Sequence, residues 1–158
     1  MPSLHTPARH ANLNHRIALA LLGGKVYVPG TAGLGGTHDC STDHYFPKEG
    51  AYRFDPALLR QAHDHCLRSY LDLVHPISAI GTLVVDNTNL FVWEVAPYYR
   101  LAEVHGHEVE VVHTWAPFEV CLARNTHQVP HHKMWRMWQT LLTERLPPHW
   151  HERVVNTR

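Results

Sequence analysis

The stretch that decides the fold is Leu83-Val84-Val85-Asp86-Asn87-Thr88-Asn89-Leu90. The apolar and β-branched residues over Thr82–Val85 predict a short buried strand, and the polar residues after it are typical of a turn. A carboxylate at the end of such a strand can hold a hydrated magnesium ion or contact a substrate hydroxyl. Asp86 therefore has two interpretations: it belongs to a phosphate-transfer site, or it caps the turn that follows.

Helical and strand patterns alternate around this stretch. Asp55-Pro56 predicts a helix start, and apolar residues then recur at helical spacing from Leu59 to about Val74. Further elements are predicted as helices over Trp93–His105, Phe118–Thr126 and His131–Thr143, and as a strand over Glu108–Val112. The alternation predicts an α/β fold with a parallel sheet and flanking helices. In such sheets ligands bind beyond the carboxyl ends of the strands.

The two ends of the chain show weaker patterns. Ile17–Leu22 predicts a short helix closed by two glycines, Lys25–Val28 a strand, and Pro29–Asp39 a long turn. Pro147-Pro148 predicts the end of the ordered part. The prediction thus divides the chain into an atypical, partly loose segment 1–40, a core 41–146 and a tail 147–158.

Two more polar residues are candidates for phosphate chemistry. Asp43, within Ser41-Thr42-Asp43-His44-Tyr45-Phe46, can accept the proton of an attacking hydroxyl, or it caps a local turn. Arg124 can clamp phosphate oxygens with two hydrogen bonds, or it is a solvated arginine at a helix end.

A glycine-rich stretch is the weakest candidate for nucleotide binding. In Gly30-Thr31-Ala32-Gly33-Leu34-Gly35-Gly36-Thr37 the glycines and the final threonine follow the order of a phosphate-binding loop, but Gly36 stands where that loop has lysine. Backbone amides can still hold phosphates, without the lysine charge. Too few residues separate Thr37 from Asp43 for a helix of ordinary length. No lysine followed by serine or threonine closes a glycine-rich turn in this chain.

Composition narrows the function classes. The formal net charge is zero, which argues against a broad nucleic-acid footprint, and no apolar run approaches the roughly 20 residues that a membrane helix needs. Three cysteines without metal-like spacing predict reduced thiols and a cytoplasmic protein. The 16 histidines suggest a metal-binding alternative, but no cysteine or carboxylate completes a zinc set, so no zinc is expected. Trp135 and Trp138 lie at near-helical spacing with Met134, Leu141 and Leu142, which favours a core face over a base-stacking platform.

From Ser41 to about Leu142 the chain resembles the P-loop polynucleotide-kinase-like family, with its Walker A loop missing or degenerate. The resemblance rests on five pieces in order, which are Ser41-Thr42-Asp43-His44-Tyr45-Phe46, Gly50-Ala51-Tyr52-Arg53-Phe54-Asp55-Pro56, Val85-Asp86-Asn87-Thr88-Asn89-Leu90, Trp93-Glu94, and Arg124-Asn125-Thr126-His127 followed by Val129-Pro130. His44 stands where many relatives have a second aspartate.

The resemblance implies a kinase-type fold that uses ATP with Mg²⁺ and transfers a phosphoryl group to a hydroxyl of a nucleic-acid 5′ end or a nucleoside. It makes Asp43 the acceptor-activating carboxylate and Arg124 a residue of the lid over the phosphates. It places Asp86 on the metal side, where it would hold Mg²⁺. The remaining candidates belong to the acceptor side, and they are Arg53, Asn87, Thr88 and Asn89. Two hypotheses follow: a kinase with compromised catalysis, or a non-catalytic binding protein derived from that family. If the first strand and its helix are missing, a protein partner or a second copy is expected on the exposed sheet face.

Overall fold

The computed structural model describes residues 16–21, 36–46, 54–75, 81–125 and 128–156. Five strands form one parallel sheet, and they are β1 (Arg16–Leu21), β2 (Thr37–Cys40), β3 (Thr82–Asn87), β4 (Glu108–Trp115) and β5 (His151–Asn156). Their order in the sheet is β2-β3-β1-β4-β5. The α/β fold class with a parallel sheet is therefore confirmed.

The strands run in step, so their carboxyl ends reach the same edge of the sheet. Leu19 of β1 pairs with Val85 of β3 and Val111 of β4, and Cys40 of β2 also pairs with Val85. From the central β1 the chain passes to β2 at one edge, returns to β3, and then crosses to β4 and β5 on the other side. The connections that leave β1 and β3 thus run in opposite directions, an arrangement at which α/β sheets bind ligands.

Two helices pack on one face of the sheet, and two more follow β4. The helices are α1 (Leu59–Val74), α2 (Val92–Val104), α3 (Phe118–Ala123) and α4 (His131–Thr143). Asp55 caps the 3₁₀ turn Pro56–Leu58 that leads into α1, because its side chain accepts a hydrogen bond of 2.8 Å from the Ala57 amide. The main core lies between α1, α2 and the sheet, and its largest fully buried member is Tyr70.

The last strand is held by an aromatic stack. The Trp150 ring lies nearly parallel to the Tyr99 ring of α2, with 4.1 Å between their centroids. The guanidinium carbon of Arg100 lies 5.9 Å from the centroid of the Trp150 ring. Trp150 is 6% exposed, and the next residue donates its amide proton to the Tyr99 hydroxyl. The predicted tail at residues 147–158 is therefore wrong for His151–Asn156, which form β5.

The N-terminal predictions need correction. The helix predicted over Ile17–Leu22 is wrong, since Arg16–Leu21 is β1, the central strand. The predicted turn Pro29–Asp39 is wrong for Thr37–Asp39, which belong to β2, and the strand predicted over Lys25–Val28 lies outside the described residues. The condition that the first strand is missing is thus not met, because β1 is present at the centre of the sheet. On the sheet face opposite α1 and α2, Val84 and Val112 are buried.

Helix α4 differs from the other long helices. It has the predicted bounds, but none of its residues is buried, and Trp135 is 41% exposed. The core face predicted for Trp135 and Trp138 is therefore wrong for Trp135, whereas Trp138 is partly buried and Leu141 of the same helix packs against the main core. No helix in the described ranges is long and apolar enough to cross a membrane.

Candidate active site at the carboxyl edge of the sheet

Asp43 and Asp86 are carried by neighbouring strands at the carboxyl edge. Cys40 of β2 pairs with Val85 of β3. Ser41 and Asp86 are the residues that follow this pair. After Ser41 the chain forms a 3₁₀ turn, Thr42–Tyr45, and the Ser41 hydroxyl accepts a hydrogen bond of 3.2 Å from the Asp43 amide. The structure therefore places Asp86 near the carboxyl end of β3 and Asp43 in the turn after β2, the neighbouring parallel strand.

Asn87 ties these two strand ends together. Its side-chain oxygen accepts a hydrogen bond of 2.9 Å from the Thr42 amide, and its side-chain nitrogen donates to the Cys66 sulfur at 3.3 Å. Asn87 is 7% exposed, so the amide of Thr42 has its acceptor in a place that water barely reaches. The side chain fixes the turn that carries Asp43 against the end of β3 and against α1.

Asn89 occupies an unusual position at the same edge. Its backbone has a φ of 35°, in the left-handed region that asparagine tolerates better than most residues. The residue is 4% exposed, and its side-chain nitrogen has no hydrogen-bond partner within the described part of the chain. A buried donor without a partner is costly, so the position of Asn89 adds local strain to this edge.

The start of α2 is fixed by two glutamates from different parts of the chain. The Glu94 carboxylate accepts a hydrogen bond of 2.9 Å from the Phe91 amide, and Glu144, directly after α4, accepts one of 2.9 Å from the Val92 amide. Carboxylates at a helix N-terminus are favourable because the amides there lack helical partners. Glu144 thereby joins the end of α4 to the helix that follows Asn89. The sequence analysis missed this role, which no local pattern shows.

The thiols behind the edge are buried and protonated at neutral pH. Burial, with smaller contributions from Cys66 and Asp39, raises the pKa of the Cys40 thiol to about 12. Burial also raises the pKa of Cys66, while hydrogen bonds from Asn87 and Tyr98 oppose the shift. These cysteines therefore act as small core residues rather than as nucleophiles.

His113 lies at the same level as Asn87, on the other side of β1. Leu21 pairs with Asn87 on one side and with His113 on the other. Burial lowers the pKa of His113, and the nearby Glu152 opposes this shift. The two side chains approach to 3.1 Å without hydrogen-bond alignment. His113 is a titratable group of this edge that the sequence analysis did not single out.

Arg124 directly follows α3 on an exposed turn. The next residue, Asn125, closes the loop towards α4: its side chain donates to the Val129 carbonyl at 2.8 Å and accepts from the Val129 amide at 2.9 Å. These two bonds fix Asn125, the residue after Arg124, against Val129. In the sequence, Asn125 stands out only as a member of the motif that begins at Arg124. The two bonds to Val129 explain why an amide side chain occupies this position.

The other predicted residues are scattered. Gly36 and Thr37 lie at the amino end of β2, where the Gly36 carbonyl accepts from the amides of Gly81 and Thr82. They are separated by the length of β2 from Asp43, and the structure does not bring the two groups together. Thr88 is exposed at the carboxyl edge. Gly30, Gly33, Gly35 and Arg53 lie outside the described residues.

The donor set of this edge suits magnesium better than zinc. Asp43 and Asp86 supply carboxylate oxygens, and magnesium is commonly bound by one or two carboxylates together with water and substrate phosphates. Within the described ranges, no group of three or more His, Cys, Asp or Glu side chains is arranged to hold a metal ion. The absence of zinc from this chain remains a prediction.

A parallel sheet with a central first strand, and with acidic residues at its carboxyl edge, defines the class as doubly wound α/β proteins. A family model described as an AAA domain matches residues 47–135. This segment is more than half of the chain, and the chain therefore belongs to this family of P-loop NTPase-like kinases. Such kinases usually use ATP and Mg²⁺.

Two individual proteins illustrate the relationship. Over 101 residues the chain is 35% identical to NEDD4-binding protein 2 from Homo sapiens, a match that covers 61% of this chain and 6% of that protein. The unliganded crystal structure of a sugar kinase from Janibacter sp. HTCC2649 superimposes with a TM-score of 0.50 and 16% identity, covering 90% of this chain and 84% of the kinase. At that identity the second likeness concerns the fold alone.

Proposed function

We propose that this protein is an ATP- and Mg²⁺-dependent phosphotransferase with a hydroxyl acceptor, and that its catalysis is compromised. The observation that carries the proposal is the Asn87 side chain, which holds the Asp43 turn against the end of β3 with a hydrogen bond of 2.9 Å. This bond supports the proposal because it holds the turn of Asp43 close to the end of the strand that carries Asp86. The acceptor we propose is the 5′ hydroxyl of a nucleic acid, with a nucleoside as the smaller variant.

Each polar residue of the edge has a role in this proposal. Asp43 accepts the proton of the attacking hydroxyl, and Asp86 holds the hydrated magnesium ion. Asn89, at the same edge, belongs to the acceptor side. Arg124, from the turn after α3, contributes a positive charge to the transferred phosphoryl group. Asn87, Thr88 and Arg53 complete the acceptor side.

The reduced rate follows from the segment after β1. β1 ends at Leu21, and the chain continues as Leu22-Gly23-Gly24-Lys25-Val26. Neither this lysine nor any other in the chain is followed by serine or threonine, so the pair that binds phosphate and magnesium in a Walker A loop is absent from the sequence. Loss of a single electrostatic donor at an active site costs about 10²–10³ in rate. ATP binding through the glycine-rich stretch Gly30–Thr37 is not part of this proposal, because Gly36 and Thr37 lie at the amino end of β2, a strand's length from Asp43.

Phosphoryl transfer tests the proposal directly. The purified chain is incubated with Mg²⁺ and ATP labelled in the γ-phosphate, with a single-stranded oligonucleotide that has a free 5′ hydroxyl. We expect slow transfer that Asp43→Asn abolishes. Asp39→Asn is the matched control, because Asp39 is an exposed carboxylate of β2 paired with His44 at 3.1 Å. Transfer that survives in Asp43→Asn to the same extent as in Asp39→Asn would refute the role of Asp43.

A second candidate function is a non-catalytic binding protein derived from this kinase family. The observation that favours it is the same absence of a lysine followed by serine or threonine. Calorimetry with ATP separates the two candidates. Binding that requires Mg²⁺ and is weakened by Asp86→Asn supports the phosphotransferase, whereas no binding at millimolar ATP supports the non-catalytic protein.

A further inference from the structure

Three aromatic rings form a defined surface between α3 and α4. We call Phe118, Trp135 and Trp138 the aromatic platform. The two tryptophan rings lie nearly parallel, with 5.4 Å between centroids and 22° between planes. Phe118 packs edge-on against Trp135 at 4.9 Å and against Trp138 at 6.0 Å. The rings are therefore ordered relative to one another and do not form a loose apolar patch.

The platform is anchored from below and open above. The indole nitrogen of Trp138 donates a hydrogen bond of 3.0 Å to the Ala116 carbonyl, and Phe118 is buried. Trp135 is 41% exposed, so one ring of the stack faces solvent. A depression of about 510 Å³ lies over it, lined by Phe118, His131, His132, Trp135, Arg136 and Gln139. The depression is wide open to solvent, so it offers a surface on which a flat group can lie rather than an enclosed pocket.

Basic residues are concentrated on α4 beside the platform. The lining includes Arg136, and Lys133 lies on the same helix. Helix α4 contains no aspartate or glutamate from His131 to Thr143, and none lines the depression among the described residues. The nearest carboxylate along α3 is Glu119, next to Phe118 in sequence. Because the whole chain has zero formal net charge, this concentration of cations is local.

An exposed aromatic face beside cations, with no acid in the lining, suits one chemical class of ligand. Unpaired bases stack on aromatic side chains irrespective of sequence, while arginine and lysine neutralise the phosphates between them. A helix of a partner protein also accepts aromatic contacts, but cations with no lining carboxylate complement a polyanion. We therefore propose that the aromatic platform binds a base of single-stranded nucleic acid, with Arg136 on the adjacent phosphate. This binding does not depend on the proposed phosphotransfer.

Binding of a fluorescent single-stranded oligothymidylate of about 12 nucleotides, followed by anisotropy, tests the proposal. Stacking on one aromatic residue contributes enough that Trp135→Ala should weaken binding by about tenfold or more. Leu142→Ala is the matched control, because Leu142 is an apolar residue of the same helix with a similar exposure of 39%. It should leave the affinity within about twofold.

A second arm removes the bases instead of the ring. An abasic oligomer of the same length should bind the wild-type chain about as weakly as the intact oligomer binds Trp135→Ala. It should lose little further affinity for that variant, because the stacking contact is already absent. In a salt titration, Arg136→Gln should lower the slope of log K against log salt concentration by about 0.7, the value for one phosphate of a single strand. Arg145→Gln, an exposed arginine after α4, should leave the slope unchanged.

Three outcomes would overturn the proposal. The first is equal affinity of wild type and Trp135→Ala for the oligonucleotide, or equal affinity of the wild type for intact and abasic oligomers. The second is displacement of the oligonucleotide by equimolar ATP, which would make the platform a mononucleotide site. The third is a chain that self-associates through Trp135, shown by size-exclusion chromatography, without binding the oligonucleotide. None of these outcomes depends on phosphotransfer activity.

Discussion

The carboxyl ends of β2 and β3 and the α3–α4 hairpin both carry side chains suited to ligands, but the two regions are built differently. At the first, Asn87 is 7% exposed and bonds to two partners, with the core residues of α1 behind it. At the second, α4 has no buried residue and its tryptophans stack at the surface. The comparison indicates that geometry is fixed by buried polar bonds in one region and by ring packing in the other. Glu144 connects them through its bond to the Val92 amide.

The largest effect is expected for Tyr70, in the core beneath the β2–β3 region. Tyr70 is fully buried, packs edge-on against Tyr98 at 5.0 Å and donates a hydrogen bond of 2.8 Å to the Tyr98 carbonyl. Tyr70→Ala should lower the free energy of unfolding by about 3–5 kcal/mol, as for other large aromatic truncations. Tyr70→Phe should cost about 1 kcal/mol, since it removes only the hydrogen bond. Urea unfolding measures both.

Two asparagines give a direct test of the difference between the regions. Asn87→Ala should cost about 2 kcal/mol, because it leaves the Thr42 amide without an acceptor in a buried place. Asn125→Ala should cost about 1 kcal/mol, since it removes two bonds of a loop that water can reach. Equal costs, measured by urea unfolding, would show that the α3–α4 loop is as tightly built as the β2–β3 edge.

Alkaline pH should act on the β2–β3 region in particular. Burial raises the pKa of Cys40 from 9.0 to about 12, so above pH 9 the unfolded chain releases a proton that the folded chain retains. The neutral Cys40 thiol makes its full contribution to the free energy of unfolding below about pH 9. This contribution falls as the pH rises from about 9 to about 12. Cys40→Ala should therefore lose less stability than the wild type between pH 8.5 and pH 10.5, measured by urea unfolding.

Cys121 of α3 serves as the comparison for this pH effect. Burial raises its pKa, but Arg124 opposes the shift, and its side chain is only partly buried. Cys121→Ala should retain most of the wild-type decline at alkaline pH. A flatter profile in Cys121→Ala than in Cys40→Ala would contradict this account.

The smallest change in stability is expected on the platform. Trp135 is 41% exposed, so Trp135→Ala should lower the free energy of unfolding by about 1 kcal/mol, well below the value for a buried tryptophan. Thermal and urea unfolding of this variant and of Leu142→Ala should give similar curves. A cost near that of Tyr70→Ala would show that the platform belongs to the core in solution.

The sequence predicts the helices well because their signals are local. Asp55 caps the 3₁₀ turn that leads into α1, as the sequence predicts, and α4 has the predicted bounds His131–Thr143. The pattern predicts a helix where β1 lies, since the six apolar residues Ile17–Leu22, followed by two glycines, have no period that separates a strand from a helix. The sequence does not predict β5, because this edge strand begins with the polar residues His151, Glu152 and Arg153 and shows no apolar alternation there. Edge strands need no apolar alternation on an exposed side.

The candidate site was predictable only in part. The order of strands and acidic residues predicts that Asp43 and Asp86 lie at the carboxyl edge, and the structure places them there. The bond from the Thr42 amide to Asn87 and the bond from the Val92 amide to Glu144 join residues distant in the chain. Such contacts depend on packing and leave no trace in a local pattern. The exposure of Trp135 was missed for the same reason, since helical spacing alone does not show whether a face finds a partner.

The central position of β1 also determines the order in which this chain can fold during synthesis. Its neighbours β3 and β4 begin at Thr82 and Glu108, so β1 leaves the ribosome long before either of them exists. At roughly 5–20 residues per second, the apolar segment Arg16–Leu21 waits for several seconds with both of its edges unpaired. During that interval it is a candidate for chaperone binding, and non-local pairing of this kind slows folding.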